Sequence, residues 1–278
     1  MSVLKRKAKI ASSEKHWVES QAAIVHEYTK YSEMELLKRS PRIVEYLVSP
    51  RTLLESTRNF KEYLHENSIS LPIAESTKHD YVNLLKTRRS SRGFSGKSLP
   101  FQELSNLLGW SVGTTKKVDM TNPELKNENV HFRSYPSGGG LYPCEFYVIA
   151  LNIDELDAGV YHYDNINHAL DPINKVIDLK EIECCFLAEK FINDIACIVV
   201  VTSVFERTVT KYGDRGYRLA LLEAGHLMQN ILLSATAQNL ASITWGGFHD
   251  NSVATMLNTD VISEPPVHAA FIGKAKVT

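Results

Sequence analysis

Residues 135–163 read YPSGGGLYPCEFYVIALNIDELDAGVYHY. A run of three glycines is held between two Tyr-Pro pairs, and it leads into residues 145–151, rich in aromatic and β-branched side chains. That composition predicts a strand. Residues 159–163 and 168–172 read as two further strands, with the polar turn 164–167 joining them as a hairpin. Downstream, residues 195–202 (IACIVVVT) form a continuous apolar run, which predicts a central strand buried on both faces. Residues 242–248 and 268–273 supply late strands. Between them, residues 217–240 predict the longest helix, with Leu221, Ala224, Met228, Ile231, Leu232 and Ala235 as its apolar stripe. Helices mixed with a modest sheet, rather than a long βαβ alternation, predict an α+β fold: a sheet flanked by helices.

Upstream, Asp80 is placed to cap a short helix with Tyr81, Leu84 and Leu85 on one face. Leu99-Pro100 opens a second helix whose buried stripe is Leu104, Leu107 and Leu108. The polar stretch 116–129 reads as a loop. Before residue 79 the chain is charged, with apolar residues at loosely helical spacing: Trp17, Ile24, Tyr28, Tyr31, Leu36 and Leu37. A second such stretch carries Tyr46, Leu47, Leu53, Leu54, Phe60, Tyr63 and Leu64, punctuated by Pro41, Pro50 and Pro72. The expected organisation is a helical extension over 1–78 on a body spanning 79–278.

The 278 residues suit one or two domains. Apolar residues make up 44% and charged residues 23%, a balance that excludes disorder as the main state. A net charge of −1 argues against a coat for nucleic acid or an anionic membrane. Residues 1–15 carry no apolar core and do not read as a secretory signal; no apolar run approaches a spanning helix. Cys144, Cys184, Cys185 and Cys197 form no C-x-x-C pair, so unpaired thiols in a reducing cytoplasm are expected.

Four stretches could carry chemistry. Residues 88–92 (RRSSR) put three guanidinium groups and two hydroxyls just after a helix. Arginine forks suit phosphate oxygens, and the alternative is a solvated basic patch. In residues 135–143 consecutive glycines let backbone N–H groups approach a ligand, or else make a plain surface turn. Lys211-Tyr212 sets an ammonium beside a phenol at the entry to the long helix. A neighbouring cation lowers a phenol's pKa, so the pair could transfer a proton; the alternative is two ordinary surface side chains. Residues 245–248 (WGGF) pair two glycines at a strand end. A P-loop, a G-x-G-x-x-G fingerprint, H-E-x-x-H and G-x-S-x-G are all absent from the sequence, so ATPase, Rossmann, zincin and α/β-hydrolase readings are disfavoured, and no metal is expected. His226, in the long helix, is expected to pack or to lie at an interface.

Together, R-R-S-x-R at 88–92, the 135–143 segment, G-V-Y-H-Y at 159–163, H-A-L at 168–170 and the stretch 211–218 resemble the SagB-type azoline dehydrogenases of the FMN-dependent nitroreductase superfamily. The resemblance runs over about 81–274, with the motifs in the same order. It implies a nitroreductase-like fold that oxidises peptide thiazolines and oxazolines to azoles during biosynthesis of a modified peptide. It also implies a cytoplasmic homodimer with one FMN per subunit, each flavin touched by both chains. Arg88, Ser90 and Arg92, with Arg89, would hold phosphate and ribityl oxygens, and Lys274 would add a second phosphate cation. Ser137, Gly138 and Gly139 would line the isoalloxazine, and Gly246 and Gly247 would reach it by backbone N–H. Lys211 and Tyr212 match the catalytic pair, either of them as the base. Expected partners are a precursor peptide and the cyclodehydratase subunits of a synthetase complex. The dimer is expected to form on the long helix, where Ala220, Ala224 and Gly225 would admit a close neighbour. Two rival readings stand beside this one: an NAD(P)H-dependent reductase of small molecules, and a non-catalytic scaffold subunit.

Overall fold

The computed structural model describes residues 20–31, 33–57, 59–63, 67–120, 123–125, 128–174, 178–188 and 191–276. Residues 1–15, Trp17 and Leu64, named above, lie outside the described residues, as do the side chains of Leu36, Leu37 and Leu47. Three helices lead the described chain: α1 (Gln21–Tyr28), α2 (Glu33–Val48) and α3 (Pro50–Thr57). A short strand β1 (Ile69–Ser70), α4 (Tyr81–Thr87) and α5 (Phe101–Val112) follow. Then come β2 (Thr114–Asp119), β3 (Asn129–Arg133), β4 (Cys144–Ala150), β5 (Gly159–Asp164) and β6 (Ala169–Asn174). The chain closes with α6 (Leu179–Phe186), β7 (Cys197–Ser203), α7 (Glu206–Tyr212), α8 (Arg215–Ala237), β8 (Leu240–Trp245), α9 (Asp250–Met256) and β9 (Pro266–Lys274).

Seven strands form the main antiparallel sheet in the order β1-β6-β5-β4-β7-β9-β8, and β2 and β3 pair separately. β7 is central and wholly buried, because helices cover both of its faces. Side chains alternate across the pleat. Cys197, Val199 and Val201 face a core shared with α5 and α8, and Ile198 and Val200 face one shared with α6 and α9. Leu104, Leu107 and Leu108 of α5 are fully buried, each contributing about 1.5–3 kcal/mol of hydrophobic stabilisation. The α+β sheet flanked by helices is therefore present as expected.

Three expectations need correction. The stretch 116–129 is strand at its ends: residues 116–119 belong to β2, which pairs with β3 from Thr114↔Arg133 to Asp119↔Asn129. The ladder forms although β2 lacks an apolar alternation, since it lies outside the main sheet with its outer residues exposed. Asp80 does cap α4, accepting from Val82 N–H at 2.9 Å, but Tyr81 and Leu85 are exposed and α4 buries no residue. In α8 the expected stripe is buried at Ala224, Met228, Ile231, Leu232 and Ala235 and departs at Leu221. Leu221 is exposed, whereas Ala220, Glu223, Ala224, Leu227, Met228 and Ile231 are buried. Ala220 and Ala224 therefore pack inside the subunit, and the outward strip is Tyr217, Leu221, Leu222, Gly225 and His226.

Among the described N-terminal residues α1, α2 and α3 are helical, and the segment that follows them enters the body. β1 pairs with β6, Ser68 donates to Asp171, and Lys61 bridges Glu264 at 2.7 Å and Tyr147 at 2.7 Å. Arg133, buried under this segment, donates to the Asn59 carbonyl at 2.9 Å.

Candidate active site

Lys211 and Tyr212 end α7, and Gly213 follows at φ 57°, its N–H closing the helix onto Val209. Adjacent residues on a helix diverge by about 100°, not by the 180° of a strand, so the two side chains can serve one site. They converge on Gly139, which sits at φ 71° between them. A Cβ at Gly139 would lie 2.5 Å from Tyr212 Oη and 2.8 Å from Lys211 Nζ, so only glycine fits. The approach of α7 to α8 depends on a second glycine. A Cβ at Gly216 would meet the Thr208 carbonyl carbon at 2.6 Å.

The electrostatics reverse one expectation. Burial lowers the Lys211 pKa, and burial followed by Tyr31 raises that of Tyr212. The ammonium does not pull the phenol down, because desolvation outweighs it at both groups. Among the described residues Lys211 has no hydrogen-bond or ion-pair partner; its Nζ stands 5.0 Å from the Tyr46 ring and 5.2 Å from the Tyr212 ring. A buried, unpaired amine is readily neutral, and a neutral amine is a base.

The N-terminal helices roof this pair, a contribution that sequence reasoning left unassigned. Tyr31 Oη donates to the Tyr212 carbonyl at 2.8 Å, and Tyr46 from α2 lies against Lys211. Arg215 donates to the Thr29 carbonyl at 3.2 Å and Arg218 to the His26 carbonyl at 2.8 Å. Cations at the carbonyl end of α1 suit its dipole. The hydrogen bonds among these contacts span more than 180 positions of sequence, and no local pattern announces them.

At the other end of the sheet, Arg88 caps α4 and Ser91 N–H donates to the Ser242 carbonyl of β8 at 2.9 Å. Phe94 bridges Ala275, so residues 91–94 run along the finish of β9. Among the described residues the side chains of Arg88, Ser90 and Arg92 form no hydrogen bond or ion pair, and Ser90 and Arg92 are exposed. Their donors are unspent, as a phosphate site requires. Arg89 turns back onto the carbonyls of Lys86 and Arg88, at 3.0 and 2.7 Å. With Ser91 it lines a cleft of about 510 Å³ between α4 and the turn from α8 to β8. Lys274 departs from expectation: Glu103 holds its ammonium with both carboxylate oxygens at 2.6 Å. The exposed Lys276, two residues on, donates its N–H to the Gly93 carbonyl, and its ammonium stands 3.7 Å from the Asp194 carboxylate.

Gly246 and Gly247 leave β8 at its far end, beside Trp245, whose indole N–H donates to the Gly247 carbonyl at 2.8 Å. Ser137 accepts the Tyr142 N–H at 2.8 Å, and Gly138 packs on Leu219 of α8.

One chain does not gather all these residues. Ser242, beside Ser91, lies in register with Ile272 and Cys197, whereas Lys211 follows Ser203 at the opposite end of β7. Six strand residues span roughly 20 Å. The Arg88–Arg92 cluster and the Lys211–Tyr212–Gly139 site therefore occupy opposite ends of the sheet.

Comparison with known proteins gives a consistent picture. The family described as "Nitroreductase family" matches residues 85–274. A protein of Methanocaldococcus jannaschii, named as a nitroreductase, is 32% identical over 74% of this chain and 96% of its own. The microcin B17-processing protein McbC of Escherichia coli is 32% identical over 66% of this chain and 70% of its own. Among solved structures, the Escherichia coli microcin synthetase McbBCD complex with truncated pro-MccB17 bound aligns at a TM-score of 0.58. That match has 22% identity and covers 95% of this chain and 96% of the other, a likeness of fold.

Proposed function

Because this chain belongs to the nitroreductase family, we propose that it is an FMN-dependent dehydrogenase converting peptide thiazolines or oxazolines to the aromatic azoles. The observation that carries the reading is the meeting of Lys211 Nζ and Tyr212 Oη at Gly139, a site built for proton transfer that a simple flavin reductase does not need. Its likeness to a protein that processes microcin B17 supports a peptide substrate.

An azoline ring has an acidic Cα–H beside a carbonyl and a C=N bond. Aromatisation removes that proton and, from the neighbouring ring carbon, a hydride. When bound, FMN supplies the two-electron acceptor at N5. Lys211 in its neutral form takes the Cα proton, since burial lowers its pKa. Tyr212 stays protonated, since burial raises its pKa, and it orients the ring by donating its O–H. Arg88, Ser90 and Arg92 hold the phosphate end, where their unspent donors lie together. Ser137, Gly138, Gly139, Gly246 and Gly247 border the isoalloxazine. Lys274 is left out of the set, because Glu103 occupies it.

The two ends of the site lie too far apart for one subunit to complete it. A homodimer that supplies the arginine cluster from one chain and the Lys-Tyr pair from the other resolves this. The exposed strip of α8 is the proposed contact, with Leu221, Leu222 and Gly225 in place of the inward alanines. The partners are the precursor peptide and the ring-forming subunits of a synthetase. The setting is the cytosol, in keeping with four free cysteines. No helix among the described residues is long and apolar enough to cross a membrane.

The test is an anaerobic titration of the yellow protein. A synthetic peptide carrying one thiazoline should bleach the flavin absorbance without NAD(P)H. Bleaching by NAD(P)H alone, with none by the peptide, would instead establish the small-molecule reductase.

A further inference from the structure

Glu223 has no role in the chemistry above, yet it is the most anomalous side chain near it. It lies on the buried stripe of α8, 2% exposed, and both carboxyl oxygens lack a hydrogen-bond partner. An unpaired buried carboxyl costs several kcal/mol unless it is neutral or finds donors.

The groups around it come from every element that packs there. Arg133 from β3 is committed to Tyr135, the Cys144 carbonyl and the Asn59 carbonyl. Arg207 from α7 is committed to Glu145 at 2.5 Å and to the Tyr142 carbonyl at 2.8 Å. The Tyr135 phenol and the Cys144 thiol are held protonated, chiefly by burial, with Glu223 adding to the upward shift of both. Arg133 keeps one buried N–H, at Nε, unpaired; the donors from the loop are the Ser137 hydroxyl and the Gly138 N–H, short of bonding geometry. Both sit on the glycine loop, whose next residue is the one wedged against Lys211 Nζ and Tyr212 Oη.

Resting on the functional reading above, we propose that Glu223 is a positioning residue: its carboxylate draws Ser137 and Gly138 onto α8 and so sets where Gly139 holds the catalytic pair. Burial, offset in part by Ser137, Arg133 and Arg207, pushes its pKa up to about 7. The ionised fraction then climbs from roughly a tenth at pH 6 to roughly nine tenths at pH 8. The loop is clamped on the alkaline side and released on the acid side.

Hydrogen exchange of a peptide spanning 135–143, measured on the full chain and corrected for intrinsic rates, tests this without substrate. Wild type should gain severalfold protection between pH 6 and pH 8, and Glu223→Gln should show none of that gain. The acid limb of the single-turnover rate of azole formation should also move in Glu223→Gln, while the flavin absorbance stays. Flat protection in wild type overturns the proposal whether or not the variant folds. So does a variant that keeps the wild-type rise. Protection that follows Glu223 in a protein unable to oxidise thiazolines leaves the clamp standing and removes the substrate assignment.

Discussion

At the scale of single residues the site turns on two pKa values moved in opposite directions from those adjacency suggests. Lys211 and Tyr212 were legible in the sequence as a pair; the sense of their coupling was not, because desolvation by Tyr31 and Tyr46 comes from far along the chain. Lys211→Met should leave flavin absorbance intact and slow single-turnover azole formation by roughly 10²–10⁴-fold. Tyr212→Phe should slow it less, since a donor is lost and not the base; a larger loss in Tyr212→Phe than in Lys211→Met would make the phenol the base. Glu223 was not singled out in the sequence, because the expected stripe passes through Ala224 and only the fold buries the neighbouring carboxyl beside Ala220 and Leu227. A second buried carboxylate shows the opposite electrostatics. Burial alone would raise Glu145, but Arg207 at 2.5 Å and His162 at 3.0 Å hold it at about 2. A carboxyl lowered in the fold contributes stability that is present above its unfolded value of about 4.5 and lost as pH falls through about 2. Glu145→Gln should therefore cost about 3 kcal/mol at pH 7 in urea unfolding, and the deficit should shrink toward pH 2.

Among elements, the central strand and the hairpin were legible because their apolar runs are long and bounded by turns. The pairing of β2 with β3 was not, since Lys116 and Lys117 give no periodic signal and the ladder is held mainly by backbone bonds. The α8 stripe was legible from Ala224 onward and missed at Leu221, because leucine stands at 221 and 222 just past the buried Ala220 and only the packing decides which way they face. The outward face, with Leu222 54% exposed, is left for another surface, as is the unburied α4. Leu222→Asp should shift the protein from dimer to monomer in sedimentation at micromolar concentration. FMN should be lost with the dimer; a flavin-bound monomer would show that one chain completes the site.

At the scale of the whole molecule, the sheet separates the phosphate end from the proton-transfer end by roughly 20 Å, so the account requires that active sites be shared between chains. Sharing has a stoichiometric signature. Arg92→Ala and Lys211→Met should each be inactive, yet unfolding and refolding them together should restore about a quarter of wild-type activity, since half the dimers are mixed and each carries one intact site. No recovery would place both groups on one subunit's flavin. The chemistry itself is tested most directly by mass spectrometry of a synthetic peptide carrying one thiazoline, incubated in air with the full chain and FMN. The account predicts a loss of about 2 Da, the two hydrogens of one flavin oxidation, absent with Lys211→Met. An unchanged peptide mass, in a protein that binds FMN and oxidises NAD(P)H, would contradict it.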